Sequence, residues 1–171
     1  MIDIGAWTGG CDAEIRDLLR EAGQVRPPID ALQLSACLGM TLAWAHDQTV
    51  RGRLTRRSGA TTILLRPDDR PERLQWAAAH RRLGWECEDV TPVQREQLAS
   101  EIANRLLVPE EWLRRAAAEV DADLRKLKER FSTASYELIA RRLLDLEAPR
   151  MLTIWDQGAV SRRQCSRGGM P

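Results

Sequence analysis

The feature that most constrains the fold of this chain is a change of hydrophobic period between residues 40 and 65. Before it, apolar residues recur at helical spacing in residues 12–22 and 30–38, and each run opens with an Asp and stops at a Gly. Inside it, the stretches MTLAWAH, TVRGRLTRR and ATTILLR alternate apolar and polar residues or are rich in β-branched ones. This pattern predicts three short strands after two helices.

Helical spacing returns after the strands. Residues 71–84 and 92–107 predict two helices, Pro109 begins another, and two more follow with a break near Ser132–Thr133. The stretch MLTIWDQGAVSRR then predicts a β-hairpin with its turn at Asp156-Gln157-Gly158. We therefore predict an α+β fold with a small antiparallel sheet packed on helices, a helical C-terminal half and a terminal hairpin.

Length and composition bound the class of protein. At 171 residues the chain suits one domain, which we place at residues 1–164 with a disordered tail at 165–171. The first residues resemble no secretion signal, and no run approaches the ~20 apolar residues of a membrane span. Four cysteines without C-x-x-C spacing suit buried thiols in a reducing compartment. These features predict a cytoplasmic protein.

Charge is unevenly distributed although the net charge is only +1. Residues 51–82 contain nine Arg and three acidic residues, a net charge of +6, whereas residues 86–111 contain seven acidic residues and two Arg, a net charge of −5. Two solvated faces of opposite sign explain this pattern. A basic docking patch is the alternative.

One of only two histidines lies on the apolar face of a predicted helix. His80 shares a helical stripe with Trp76, Ala77 and Leu83 or Gly84 in the stretch LQWAAAHRRLGWE. On the next predicted helix, Glu96 shares a stripe with small and apolar residues, namely Ala99, Ala103 and Leu106 or Leu107. A carboxylate on such a stripe must be paired, hydrogen-bonded or bound to a metal, because burying it alone is costly.

Around these two residues the sequence resembles the ImmA/IrrE-type zinc metallopeptidases. The stretch QWAAAHRRLG is similar to their zinc helix, in which an aromatic residue and Ala-His precede His-Glu-x-x-His. The stretch EQLASEIANRLLVP is similar to their Glu-x-x-Ala-Asn-x-Phe-Ala-Ala-x-Leu-Leu-Met-Pro over fourteen positions without a gap. The resemblance covers roughly residues 25–160. It implies zincin-like helices, with His80 and Glu96 at zinc-ligand positions.

The chain departs from the family at the catalytic core. The family's general-base Glu corresponds to Arg81 and its second zinc His corresponds to Gly84, so that His-Glu-x-x-His is replaced by His80-Arg-Arg-Leu-Gly84. Arg81 cannot accept a proton from water at neutral pH, and its charge opposes a nearby cation. His46, Glu86 and Cys87 offer no obvious substitute. The resemblance therefore implies a vestigial metal site, no catalytic residue and no bound zinc.

The function that the resemblance implies is regulatory. Active members of the family act on helix-turn-helix repressors in phage-like, mobile-element or stress regulation, and a member without catalysis would bind such a repressor or another protein. Three alternatives stay open: an active zinc endopeptidase with a non-standard site, a DNA-binding regulator, and a histidine that is simply hydrogen-bonded in the core. The DNA-binding alternative rests on the helix pair of residues 124–146, where Arg141-Arg142 follows a Ser-Thr-Ala-Ser turn.

Overall fold

The computed structural model describes residues 4–68, 70–83 and 91–166, and it describes the backbone alone in residues 4–10 and 81–83. Within these residues the chain forms seven helices and five strands. The helices are α1 Ile4–Glu21, α2 Ala31–Cys37, α3 Pro71–Leu83, α4 Pro92–Leu107, α5 Glu110–Glu119, α6 Leu124–Arg130 and α7 Tyr136–Leu143. The strands are β1 Thr41–Trp44, β2 Gly52–Arg57, β3 Ala60–Leu65, β4 Met151–Asp156 and β5 Ala159–Cys165.

Local capping contacts fix where the helices begin. The Asp30 carboxylate accepts hydrogen bonds from the backbone N–H groups of Leu32 and Gln33 and so caps α2. Thr91 and Gln94 form a reciprocal capping box at the start of α4, with Pro at the first helical position. These contacts explain why the helix boundaries near residues 30 and 92 were predictable from the sequence.

The fold class is confirmed, but the sheet is mixed rather than antiparallel. β2 and β3 form an antiparallel hairpin through Ser58 and Gly59, whereas β1 joins β3 in parallel, with Thr41 opposite Thr62. The strand order β1-β3-β2 leaves β2 at an edge. A period of two predicts a strand but not the direction of its neighbour, so the sequence could not reveal this pairing.

The core lies among α1, α2 and the helices from α3 to α7. Its largest fully buried side chains include Phe131, Leu106 and Ile139. A second, smaller cluster joins the sheet to α3 through Ile63, Leu65 and Ala77. This cluster places α3 between the sheet and α4, and thus positions the face that carries His80.

The first helix begins eight residues before the predicted cap at Asp12. Asp12 lies inside α1, and its carboxylate accepts a hydrogen bond of 2.6 Å from Arg105 Nη1 on α4. Arg105 is 5% exposed and also donates to Glu101. The expected helix start at Asp12 was therefore wrong. The carboxylate is used in a contact 93 residues away along the chain.

The C-terminal hairpin has the predicted turn. Gln157 and Gly158 both have positive φ, as a two-residue hairpin turn requires. Cys165, in β5, lies opposite Met151 of β4. Ser166 is 5% exposed and accepts a hydrogen bond from the Arg150 N–H. Cys165 and Ser166 therefore belong to the hairpin, although they were expected in the tail. The rest of the predicted tail, residues 167–171, lies outside the described residues.

The lengths of the helices and the exposure of the cysteines bear on the expectation of a cytoplasmic protein with buried thiols. None of the helices in the described part of the chain is long and apolar enough to cross a membrane. Of the three cysteines that the structure describes, Cys11 is buried, as expected, whereas Cys37 and Cys165 are exposed. Both exposed cysteines lie at or next to element ends, at the last residue of α2 and of β5. Cys87 lies outside the described residues.

Candidate functional site

The candidate site is a cleft between the sheet and the helix pair α3–α4. Its volume is about 420 Å³. One wall is the segment Thr49–Gly52 that leads into β2, with Arg66 beside it, and the other wall is formed by side chains of α3 and α4: Trp76, Ala77, His80, Glu96 and Ser100. The cleft thus lies beside the edge strand of the sheet, next to the two residues that the sequence pointed to.

His80 and Glu96 meet across the contact between α3 and α4. His80 Nε2 lies 3.3 Å from Glu96 Oε2. The imidazole is 4% exposed, so the predicted burial of His80 is confirmed. The helix phases derived from the sequence therefore bring the two side chains to one place.

Glu96 is not buried, in contrast to the sequence-based expectation. Its side chain is 59% exposed, although Ala99 and Ala103 on the same stripe are buried. Glu96 lies one turn into α4 and lines the cleft with a largely exposed side chain, which places its carboxylate at the rim. A carboxylate at the rim keeps much of its hydration, so this glutamate bears little of the cost of burial.

Trp76 holds the imidazole from the preceding turn of α3. The ring centroids of Trp76 and His80 are 4.6 Å apart with an interplanar angle of 32°. The indole Nε1 donates a hydrogen bond of 3.0 Å to Asn104 Oδ1 on α4. Trp76 thus connects α3 to α4 and packs against the histidine. Its partner could not be found from the sequence, because Asn104 is 28 residues away.

The distance between His80 and Glu96 permits a shared zinc ion, but the ligand count does not suit catalysis. Two ligands at ~2.0–2.1 Å from a tetrahedral zinc lie about 3.4 Å apart, close to the 3.3 Å observed here. Catalytic zinc takes three protein ligands and a water. In the part of the chain that the structure describes, no group of three His, Cys, Asp or Glu side chains could hold a metal ion. His80 and Glu96 therefore supply two of the three protein ligands that a catalytic zinc takes.

The positions that would complete the site are only partly described. Gly84, Glu86 and Cys87 lie outside the described residues, and only the backbone of Arg81 is described. His46 is exposed in the loop after β1 and does not line the cleft.

Arginines from the basic segment surround the cleft. Arg51 and Arg66 line it, and Arg51 also lines an adjoining cavity of about 780 Å³ together with Arg70 and Arg73. Asp68 lies beside them, and its pKa is lowered, chiefly by a hydrogen bond from the backbone N–H of Arg70 and also by Arg73. The sequence signal for these residues was the net charge of residues 51–82, but it did not show which of the arginines share a cavity.

The two arginines that suggested a DNA-recognition helix in the pair α6–α7 both have partners within the protein. Arg142 is 2% exposed and donates hydrogen bonds to the Val108 carbonyl oxygen and the Asp145 carboxylate. Arg141 forms an ion pair with Glu137 on the same helix. One of the two arginines that suggested a recognition helix therefore stabilises the core.

Comparison with known proteins gives a structural match. No protein-family model matches the sequence, and no curated protein matches it. The solved structure of a Mycobacterium tuberculosis transcriptional regulator is similar, with a TM-score of 0.68 at 18% identity. The alignment covers 92% of this chain and 55% of that chain, so this chain spans about half the length of the regulator. At this identity the match shows a shared fold.

Proposed function

We propose that the protein is a non-catalytic regulator built on an ImmA/IrrE-like metallopeptidase fold, which binds a helix-turn-helix repressor or another protein partner. The observation that carries the proposal is the meeting of His80 Nε2 and Glu96 Oε2 at 3.3 Å beside a cleft. These are the two positions at which the sequence retains the family's zinc ligands. The two side chains are 16 residues apart on successive helices, and their contact supports the alignment with the family.

The loss of catalysis rests on chemistry at the other two positions. Arg81 stands where the family has its general base, and Gly84 stands where it has the second imidazole ligand. A guanidinium group cannot take a proton from water, and glycine offers no ligand atom. A protein that keeps the cleft without this machinery can still hold a partner there.

A regulatory role is further supported by the structural match. The similar structure is that of a transcriptional regulator, and it is longer than this chain. The proposed role places this chain in the same broad class, acting through binding. A cytoplasmic location, expected from the sequence, agrees with this role.

The proposal is tested with the purified chain and the helix-turn-helix repressor encoded nearest to its gene. Titration calorimetry should detect a complex, and electrophoresis should show the repressor intact after incubation with added zinc. Cleavage of the repressor would establish the active-peptidase alternative. If the repressor stays intact and no complex forms, this repressor is not the partner, and the proposal that the protein binds it is refuted.

A further inference from the structure

The cleft beside His80 adjoins a second cavity, and we treat the two together as one groove. The two cavities, of about 420 and about 780 Å³, share Arg51, Trp76 and Ser100. The groove runs from Glu96 at one end to Tyr136, the first residue of α7, and Arg141, in the last turn of that helix. We call it the arginine groove, because Arg51, Arg66, Arg70, Arg73 and Arg141 line it.

Three of these arginines form no close ion pair with a described residue. Arg73 pairs with Asp68 at 3.2 Å, and Arg141 pairs with Glu137. By contrast, Arg51, Arg66 and Arg70 form no ion pair with any residue that the structure describes, and the single side-chain bond among them runs from Arg66 to the Thr49 carbonyl oxygen. Asp68 and Glu72 attract Arg51 and Arg70 only at longer range. The groove therefore carries three guanidinium groups that have no close carboxylate partner among the described residues.

The lining also offers aromatic surface. Trp76 is partly buried in the wall shared by the two cavities, and Tyr136 is 49% exposed in the second. Guanidinium groups bind carboxylates and phosphates through paired hydrogen bonds, and aromatic rings bind apolar side chains. A ligand that suits this groove carries separated negative charges and apolar groups between them.

Acidic side chains on the walls of the groove favour an acidic peptide over nucleic acid as the ligand. Glu96, Glu72 and Glu137 line the groove among the arginines. Nucleic acid carries closely spaced charge, one per ~1.7 Å of duplex, and would place phosphates against these carboxylates. A peptide can place its carboxylates at the arginines and neutral residues at the glutamates. The mixed charge of the groove therefore favours a peptide.

We propose that the arginine groove binds an acidic segment of the protein partner. This inference rests on the proposed function, since it names the surface and the chemistry by which the regulator recognises its partner. Arg51 is central, because it lines both cavities, and Arg70 lines the second cavity, which α7 also borders.

The test measures the fluorescence anisotropy of a labelled peptide with three repeats of Glu-Ala-Glu-Leu. The peptide should bind in a salt-sensitive manner. The double variant Arg51→Gln/Arg70→Gln should weaken binding about tenfold or more, since it removes two charge-assisted contacts. The matched control Arg162→Gln/Arg163→Gln removes the same charge from exposed residues of β5, outside the groove, and should change affinity by less than about twofold.

Other outcomes would overturn the inference. Equal losses in both double variants would mean that net charge, and not the groove, attracts the peptide. Tighter binding of a twelve-residue thymidine oligonucleotide, or of the same peptide with Lys in place of Glu, would exclude an acidic peptide as the preferred ligand. Circular dichroism and melting curves confirm that each variant is folded.

Failure of this inference is separable from failure of the proposed function. If Arg51→Gln/Arg70→Gln leaves binding of the intact repressor unchanged, the partner occupies another surface and only the groove assignment is refuted. If the native chain cleaves the repressor, the non-catalytic role is refuted, whatever the peptide titration shows.

Discussion

A double-mutant cycle between His80 and Glu96 should reveal an asymmetry that the structure dictates. The imidazole is 4% exposed and packs on Trp76, whereas the Glu96 side chain is 59% exposed. His80→Ala removes a buried ring and leaves a cavity, at a cost of about 2–4 kcal/mol, of which the aromatic contact contributes ~0.5–1.5 kcal/mol. Glu96→Ala should cost about 1 kcal/mol or less, as expected for a pair with an exposed partner.

The free energies of unfolding are measured by urea denaturation, monitored by tryptophan fluorescence. Glu14→Ala, at an exposed carboxylate of α1, is the control for loss of a helical glutamate. The coupling energy of the cycle should be about 0.5–1 kcal/mol. If Glu96→Ala costs as much as His80→Ala, the carboxylate is buried in solution and the placement of the pair is wrong.

Two further predictions concern the contacts that position α3. Gln75 Oε1 accepts a hydrogen bond of 2.6 Å from the Ala31 N–H, and its Nε2 donates to Asp30. Gln75→Leu removes both bonds and should lower the free energy of unfolding, measured by urea denaturation, by about 1–3 kcal/mol. An unchanged free energy of unfolding would refute the contribution of these two bonds. Glu72 has a pKa below its ordinary value of 4.5, first because Lys128 Nζ donates to it at 2.7 Å. Its contribution to stability is therefore present above the ordinary pKa and is lost as pH falls through the lowered one. Glu72→Gln should therefore melt at a lower temperature than the wild type at pH 7, and the two melting temperatures should converge at acid pH. A difference in melting temperature that does not change with pH would contradict this.

Much of the fold could be predicted from the sequence, because residues close to each helix start form the hydrogen bonds that cap it. Asp30, Thr91 with Gln94, and Ser135 are cap residues whose side chains accept hydrogen bonds from the helix starts that they mark. By contrast, Asp12 had the same appearance and lies inside α1, where it bonds to Arg105 instead. A tertiary partner at that separation has no local signature, so the cap rule gave the wrong helix start.

The contact between His80 and Glu96 could be predicted from the sequence, but the surroundings of the two side chains could not. Helical phase brought His80 and Glu96 together, because their faces follow from a fixed 3.6-residue period. Phase did not reveal that Glu96 reaches solvent, since exposure depends on where the neighbouring helix and the sheet end. The same limitation applies to Arg51 and Arg70, which share a cavity only because the loop before β2 and the start of α3 lie together.

The measurement that tests the central claim most directly is the zinc content of the purified protein beside that of the variant Arg81→Glu/Gly84→His. The variant restores His-Glu-x-x-His, so that with Glu96 it has the three ligands of a catalytic zinc. Elemental analysis should give well under one zinc per native chain and about one per variant chain, with a higher melting temperature for the metal-bound variant. One tightly held zinc in the native protein would contradict the loss of the metal centre. A folded variant that takes up no zinc would contradict the metallopeptidase ancestry.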